Sequence, residues 1–505
     1  MSPERFRELG HRMVDFVASY LERVGEQPVL SRAEPGAVFD ALPDSPPEVG
    51  GQSGGDADEW DAIFRDLESI ILPGLTHWQH PSFFAFFPAN TSGPAILAEL
   101  LSAGLGVQGM LWQTSPACTE LETKMLDWMA HACGLPAKFL STSDNGGGVI
   151  QGTASEATLV AMVAARERVR AAGGDPAKMT LYASDQAHSS IAKAAMIAGF
   201  AAGPEDFARM RLVESDATLA MDPAKLGEAI ARDVAAGLEP GFVCATVGST
   251  STTAVDPLDK IAEVCAGKAG ERTWLHADAA HSGAATVCEE HRWMLRGVEA
   301  FDSYCFNPHK WLLTNFDCDL FWTSDRQTLT KALSITPAYL RTAESEAGRV
   351  IDYRDWQVPL GRRFRALKLW FVVRHYGLEG LRAHIRHSVA LAADFERWVG
   401  EHERFELAAE RTVNLVCLRC AAEAGESRES ADARTAALVE RVNRSGEAYV
   451  TLTRVPDRAG DGGDGDGESR PVLRVSIGTT STRAEHVRAL ERLLEEAEAA
   501  GQAAG

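Results

Sequence analysis

The chain has 505 residues, 45% of them hydrophobic and 24% charged, which is ample for a large buried core divided into several structural units. Lys and Arg total 50 against 71 Asp and Glu, and the net charge of -21 argues against nonspecific binding to nucleic acid or to anionic membranes. Early charges at Glu4, Arg5 and Arg7 do not fit a secretory signal, no apolar run of spanning length follows, and the nine Cys are scattered, so a cytoplasmic protein with reduced core thiols is expected.

Apolar residues recur at helical spacing through Phe6, Leu9, Met13, Phe16, Val17 and Tyr20, which predicts an N-terminal helix. Residues 44–58 are rich in Pro, Gly, Ser and acid and read as a loop. Helices are expected over 60–71, over 88–101 after opening breakers, and over 120–133, where Gly134 and Pro136 stop the pattern. The middle alternates strand-like runs at 147–151, 180–184, 241–247 and 273–278 with helix-like runs at 156–170, 190–198 and 259–266. Such alternation predicts a mostly parallel sheet covered by helices on both faces.

A further helical region opens at Arg363 and continues past Glu396, strands are expected at 413–418 and 473–477, and a final helix starts at Arg483. Between those strands, residues 456–470 contain repeated Gly-Asp and bury no apolar area, so a disordered surface insertion is expected. Its aspartates lack the closing Glu of a calcium loop, and Cys417 and Cys420 lack further ligands for zinc, so no metal is expected.

Three clusters carry chemistry. In His276-Ala277-Asp278-Ala279-Ala280, strand alternation puts His276, Asp278 and Ala280 on one face. An Asp at the carboxyl end of a parallel strand lies on the ligand side of an open sheet, where a buried carboxylate wants a cationic partner. A protonated pyridine nitrogen would serve; alone, the same Asp could simply cap a helix. In Asn307-Pro308-His309-Lys310-Trp311, Lys310 could be an ordinary snorkelling residue. Desolvated near other cations, it would suit imine formation. The third cluster, Gly146-Gly147-Gly148 followed by Thr153-Ala154-Ser155 at a helix start, offers glycines, free N–H groups and hydroxyls for a phosphate. Together they supply a phosphate cradle, a ring-nitrogen partner and an imine-forming lysine, which points to pyridoxal 5'-phosphate.

Longer motifs sharpen this. His80-Pro81-Ser82-Phe83-Phe84-Ala85-Phe86-Phe87-Pro88, Ser115-Pro116-Ala117-Cys118-Thr119-Glu120-Leu121-Glu122, residues 147–157, Asp185-Gln186-Ala187-His188-Ser189-Ser190, residues 307–317 and Pro359-Leu360-Gly361-Arg362-Arg363-Phe364-Arg365 follow one another in order. With them the chain resembles the group II pyridoxal-phosphate decarboxylases, specifically the aromatic L-amino acid decarboxylases. The resemblance runs from Met1 to about Trp398 and weakly beyond. It implies a fold type I, aspartate aminotransferase-like α/β architecture with a mostly parallel seven-stranded sheet. It also implies an N-terminal dimer-clasping segment (1–92), a large cofactor domain (93–367) and a small α+β domain (368–505). A homodimer with a shared active site follows, in which Gln108, Met110 and the Tyr339 loop reach into the partner's site.

The same resemblance assigns roles. Lys310 carries the cofactor and Asp278 meets its ring nitrogen. His188 stacks on the ring and meets the substrate carboxylate, Ala280 lets the ring lie flat, and Thr153, Ala154, Ser155, Thr250, Asn307 and His309 surround the cofactor. Tyr339 lies near the start of a mobile loop and would protonate the substrate's α-carbon. Relatives that make aldehydes have Phe in place of that Tyr or Asn in place of the His, so Tyr339 and His188 together favour simple decarboxylation to an amine. The substrate pocket resembles that of the aromatic enzymes in Trp78, Phe86, Phe87 and Pro88. Ala89, Gln108 and Met110 depart from the animal dihydroxyphenylalanine enzymes, and Gly361 matches relatives that accept indoles. An oxygen-dependent aldehyde synthase, an aminotransferase or a catalytically silent paralogue are the competing readings.

Overall fold

The computed structural model describes residues 1–48, 59–268, 272–335, 343–457 and 469–504. Its centre is a seven-stranded sheet of β1 (Gly147–Gln151), β2 (Met179–Ser184), β3 (Met210–Val213), β4 (Glu239–Thr246), β5 (Trp274–Asp278), β6 (Ser303–Phe306) and β7 (Asp319–Thr323), in the order β1-β7-β6-β5-β4-β2-β3. The pairs from β3 through β2, β4 and β5 to β6 are parallel, and β7 is antiparallel to both of its neighbours. Six strands therefore run one way and β7 runs back between β1 and β6. The expectation of a mostly parallel sheet holds.

The strands are apolar almost throughout because both faces are covered. Ile150, Val243, Leu275, Tyr304, Leu320 and Trp322 pack on one side. Val149, Phe242, Trp274, Cys305 and Phe321 pack on the other. This is the period-2 alternation of a strand, with both sets buried.

A smaller antiparallel sheet joins β8 (Phe405–Leu407), β9 (Leu415–Cys420), β10 (Thr451–Pro456) and β11 (Ser469–Ser476) in the order β10-β11-β9-β8. Helices Arg428–Ser445 and Ala484–Ala504 share its core through Leu438, Val442, Leu490 and Leu494.

Several element boundaries move for identifiable reasons. The helix expected over 120–133 starts at Pro116, because Ser115 accepts the Cys118 N–H and Pro116 suits the first turn. The helix expected over 88–101 is Gly93–Leu105, entered through Ser92 and Pro94 and closed by Gly106 in the left-handed region. The segment 60–71 is a helix over Glu59–Asp66 that continues as a wider π turn over Leu67–Ile71. The long helix Arg365–Glu401 breaks at Gly377, whose φ of 62° and ψ of 175° suit only glycine. This helix runs across the expected boundary at 367/368.

The insertion expected over 456–470 is too wide. Pro456 pairs with Ser469 and Val455 with Arg470 in a ladder, and Arg470 also reaches Asp432 at 2.8 Å. Residues 458–468 and 49–58 lie outside the described residues. All nine cysteines are buried and free. Among the described residues no helix is long and apolar enough to cross a membrane, and no group of three or more His, Cys, Asp or Glu could hold a metal ion.

Candidate active site

β1, β5 and β6 point the same way, so their carboxyl ends share one edge of the sheet. β1 delivers the start of the helix Ala154–Ala171, β5 ends on Asp278, and β6 runs into Asn307 and the short helix Pro308–Trp311. These turns enclose a cavity of about 240 Å³. Every expected cofactor residue lines it: Thr153, Ala154, Ser155, His188, Thr250, Asp278, Ala280, Asn307, His309 and Lys310.

An adjoining cavity of about 470 Å³ shares His188, Thr250, His309 and Lys310 with the first. Its walls are Trp78, Phe86, Phe87, Pro88 and Ala89. Trp78 and Phe86 stack at 5.6 Å. Gln108, Met110 and Gly361 line neither cavity. They neighbour one another instead: Gln108 Oε1 accepts the Arg362 N–H at 3.1 Å, and a Cβ on Gly361 would meet the same oxygen at 3.5 Å. The Met110 carbonyl accepts the Arg354 N–H at 3.1 Å. Tyr339 lies outside the described residues.

Burial dominates the electrostatics. It pulls the Lys310 amine below its ordinary value, against the opposing attraction of Asp278. The His188 ring is likewise lowered by burial, with Asp278 acting the other way and Lys310 assisting. His188 Nδ1 accepts the Ser190 N–H at 3.2 Å, so the proton of a neutral ring sits on Nε2. His309 Nδ1 lies 2.9 Å from the Cys318 amide, and its ring meets Phe316 edge-on at 4.6 Å.

Three features leave room for a charged heterocycle with a phosphate. Asp278 is 5% exposed, accepts only the Ala280 N–H at 3.0 Å, and faces no cation within ion-pair reach among the described residues. Such a carboxylate calls for a cationic partner. Thr153 stands at the cap of the helix Ala154–Ala171 with no capping bond from its side chain, which leaves a hydroxyl beside free backbone N–H groups. The Asn307 Oδ1 atom is buried without a donor.

The glycines expected in the phosphate cradle lie elsewhere. Gly146, Gly147 and Gly148 do not line the cavity. A Cβ on them would strike the Lys138 carbonyl at 1.8 Å, Trp356 at 2.9 Å and the Phe321 carbonyl at 2.8 Å. These glycines serve packing at the start of β1. His276 also turns away from the cavity, into the sheet, where its Nδ1 lies 2.9 Å from Ser303 Oγ.

Residues 49–421 match the model of the pyridoxal-dependent decarboxylase conserved domain. The chain belongs to this family. Phenylacetaldehyde synthase of Arabidopsis thaliana is 44% identical over 498 residues, covering 98% of this chain and 96% of the relative. Aromatic-L-amino-acid decarboxylase of Cavia porcellus is 42% identical, covering 96% of each. The crystal structure of Oryza sativa TDC with PLP and tryptamine superimposes with a TM-score of 0.91 at 40% identity, over 99% of this chain and 98% of that one. The chain is thus a pyridoxal-phosphate-dependent decarboxylase, and the orphan carboxylate of Asp278, the uncapped helix start and the buried Lys310 fit that cofactor.

Three residues that line these cavities, His281, Phe316 and Arg474, and one buried at the same sheet edge, Asp319, were not singled out in the sequence. His281 stacks on Phe87 at 3.8 Å, with its Nε2 2.7 Å from Asn414 Oδ1. It sits one residue past Ala280, close enough that the motif itself could have flagged it. Phe316 follows Lys310 by six positions and forms a wall common to both cavities. Arg474 reaches the larger cavity from β11 and donates to the carbonyls of Phe86, Thr250 and Ser251. Asp319, at the start of β7, is fully buried. Nothing local to Arg474 or Asp319 in the sequence signals these positions.

Proposed function

We propose that the chain decarboxylates aromatic L-amino acids (Trp, Phe, Tyr or dihydroxyphenylalanine) to arylalkylamines and CO₂. The observation that carries this reading is the aromatic chamber of Trp78, Phe86, Phe87 and Pro88 opening directly onto Lys310 and His188. Flat apolar walls bind an aryl side chain by burial and ring contact. Among its lining residues no carboxylate stands ready for a cationic side chain.

When bound, pyridoxal 5'-phosphate supplies an electron-accepting ring that can take up the electrons of the bond to the carboxylate. Lys310 would tether the cofactor, its buried amine neutral enough to act as a nucleophile. Asp278 would hold a proton at the ring nitrogen. Thr153, Ala154 and Ser155 would hold the phosphate end, Asn307 and His309 would stand around the phosphate and the lysine, and Thr250 and Ala280 would shape the ring's bed. His188 would lie against the ring and orient the substrate carboxylate, which must leave perpendicular to the ring plane. Tyr339 would donate a proton to the α-carbon after CO₂ departs.

A homodimer is part of the proposal. Gln108 and Met110 stand off the Lys310 cavity of their own chain and, with the Tyr339 loop, would reach into a partner's. In this scheme residues 1–92 form the clasp, 93–367 the cofactor domain and 368–505 the small domain, in the cytoplasm. The aldehyde synthase reading draws on the relative of that name, whereas the pairing of Tyr339 with His188 favours the amine. Purified protein should show a visible absorbance band that disappears in Lys310→Ala, and Trp or Phe should yield the amine. Aldehyde with peroxide would favour the synthase, and absence of bound cofactor would favour a silent paralogue.

A further inference from the structure

Asp319 is a charged-type side chain with no exposed surface, and neither carboxyl oxygen has a hydrogen-bond partner. Its position follows from the one reversed strand. Because β7 runs back, its first residue lies at the sheet edge where β1 and β6 end. The ladders pair Asp319 with Gln151 and Leu320 with Phe306, so Asp319 stands one step beyond the last β6 pair, beside Asn307. The contact of Cys318 with His309 ties the same stretch to the turn bearing Lys310.

The orphan atoms around it share one property. Gln151 Oε1, Asn307 Oδ1 and both Asp319 oxygens are acceptors, all buried, and none receives a proton. A cluster of acceptors lacking a donor is costly. One proton on Asp319 removes its buried charge and supplies one of the missing donors. Burial and the nearby Asp278 and Glu156 carboxylates favour that neutral form, while Lys310 opposes it. Glu156 is occupied with the Gly152 N–H at 2.7 Å, and Asp317, two residues away, is paired with Arg365 at 2.9 Å. The Cys305 thiol is pushed far up by burial and stays neutral. Lys310 is therefore the cation that Asp319 answers to.

We propose that Asp319 is a positioning residue for Lys310: a buried carboxyl that keeps its proton while the lysine nitrogen is uncharged and ionises when that nitrogen is protonated. It thereby steadies the charge of the site as the lysine changes state. The inference rests on Lys310 being the cofactor lysine.

The test is a pH titration of the visible absorbance of the cofactor-loaded wild type, Asp319→Asn and Asp319→Ser. Removing the counter-charge makes a proton on the Lys310 nitrogen easier to lose, so both variants should move the midpoint to lower pH by about one unit. Their thermal midpoints should equal or exceed that of the wild type, since an unpartnered carboxyl is removed. A purely structural role would instead lower the thermal midpoint and leave the titration in place. Should the Asn variant fail to fold, the smaller Ser variant decides. Unmoved titration midpoints overturn the proposal. A band that survives Lys310→Ala overturns the reading of Lys310 itself, whereas a band lost in Lys310→Ala with unmoved Asp319 variants overturns only this inference.

Discussion

His188 lines the same cavity as Asp278 and Lys310, and burial outweighs the carboxylate, so its ring titrates below the ordinary value of 6.5. The ring is then neutral throughout the physiological range. If it must be neutral to lie against the cofactor, kcat/KM stays level as pH falls from 8 to about 6.5 and declines only below that, at the lowered histidine value. A pH profile already falling above pH 6.5 would contradict this. Tyr339→Phe should turn the product from amine toward aldehyde without abolishing CO₂ release, which a product ratio by chromatography reads directly. Lys310, whose amine burial pulls below its ordinary value, loses its function outright on conversion to Ala.

Among the elements, the helix Pro116–Cys133, β1 and the approach to the helix Arg365–Glu401 meet at one buried ion pair. Arg362 and Glu122 lie 2.5 Å apart and both are essentially unexposed. Glu122 also accepts the Ile150 N–H at 2.8 Å, and Arg362 donates to Gln357 at 2.8 Å. Glu122→Ala strands a buried guanidinium, so equilibrium unfolding in urea should show a loss of about 3–5 kcal/mol. A loss below about 1 kcal/mol would mean the pair is dispensable.

Most of the long helices and the strands β1, β2, β4 and β5 were readable in the sequence because each has an apolar pattern bounded by Gly, Pro or a cap, whereas the helices Pro223–Ala235, Arg326–Leu333 and Arg428–Ser445 were not. The short β3 and β7 were not, since their place depends on neighbours far away in the chain. The glycine run before β1 misled for a related reason: close backbone approach is real there, but it is toward Trp356 and Phe321.

For the whole molecule, nine histidines lowered by burial set the acid response. Burial depresses His80, His276 and His384 to about 4, and His281 and His309 to about 3. Each takes up a proton on unfolding once pH drops below its ordinary 6.5, so stability falls from there down through the folded values. Asp256, raised to about 7 by burial, acts in the opposite sense, as do the raised Asp302, Asp319, Asp355 and Glu491, but the nine lowered histidines outnumber these five. The urea midpoint should therefore be lower at pH 5 than at pH 7. An equal or higher midpoint at pH 5 would refute it. Sedimentation of the full chain should give twice the monomer mass.

At this scale the candidate site was legible where it is contiguous. Asn307-Pro308-His309-Lys310 and Asp185-Gln186-Ala187-His188 carry their own pattern, while Arg474 and Asp319 join only through the folding of β11 and β7. In the proposed reaction one carboxylate leaves the α-carbon and one proton replaces it. The most direct test is to count products in the cofactor-loaded enzyme with Trp, Phe, Tyr and dihydroxyphenylalanine. One arylalkylamine per CO₂ with no oxygen consumed is predicted. Aldehyde, ammonia and peroxide per CO₂, or no CO₂ from any of the four, would contradict it.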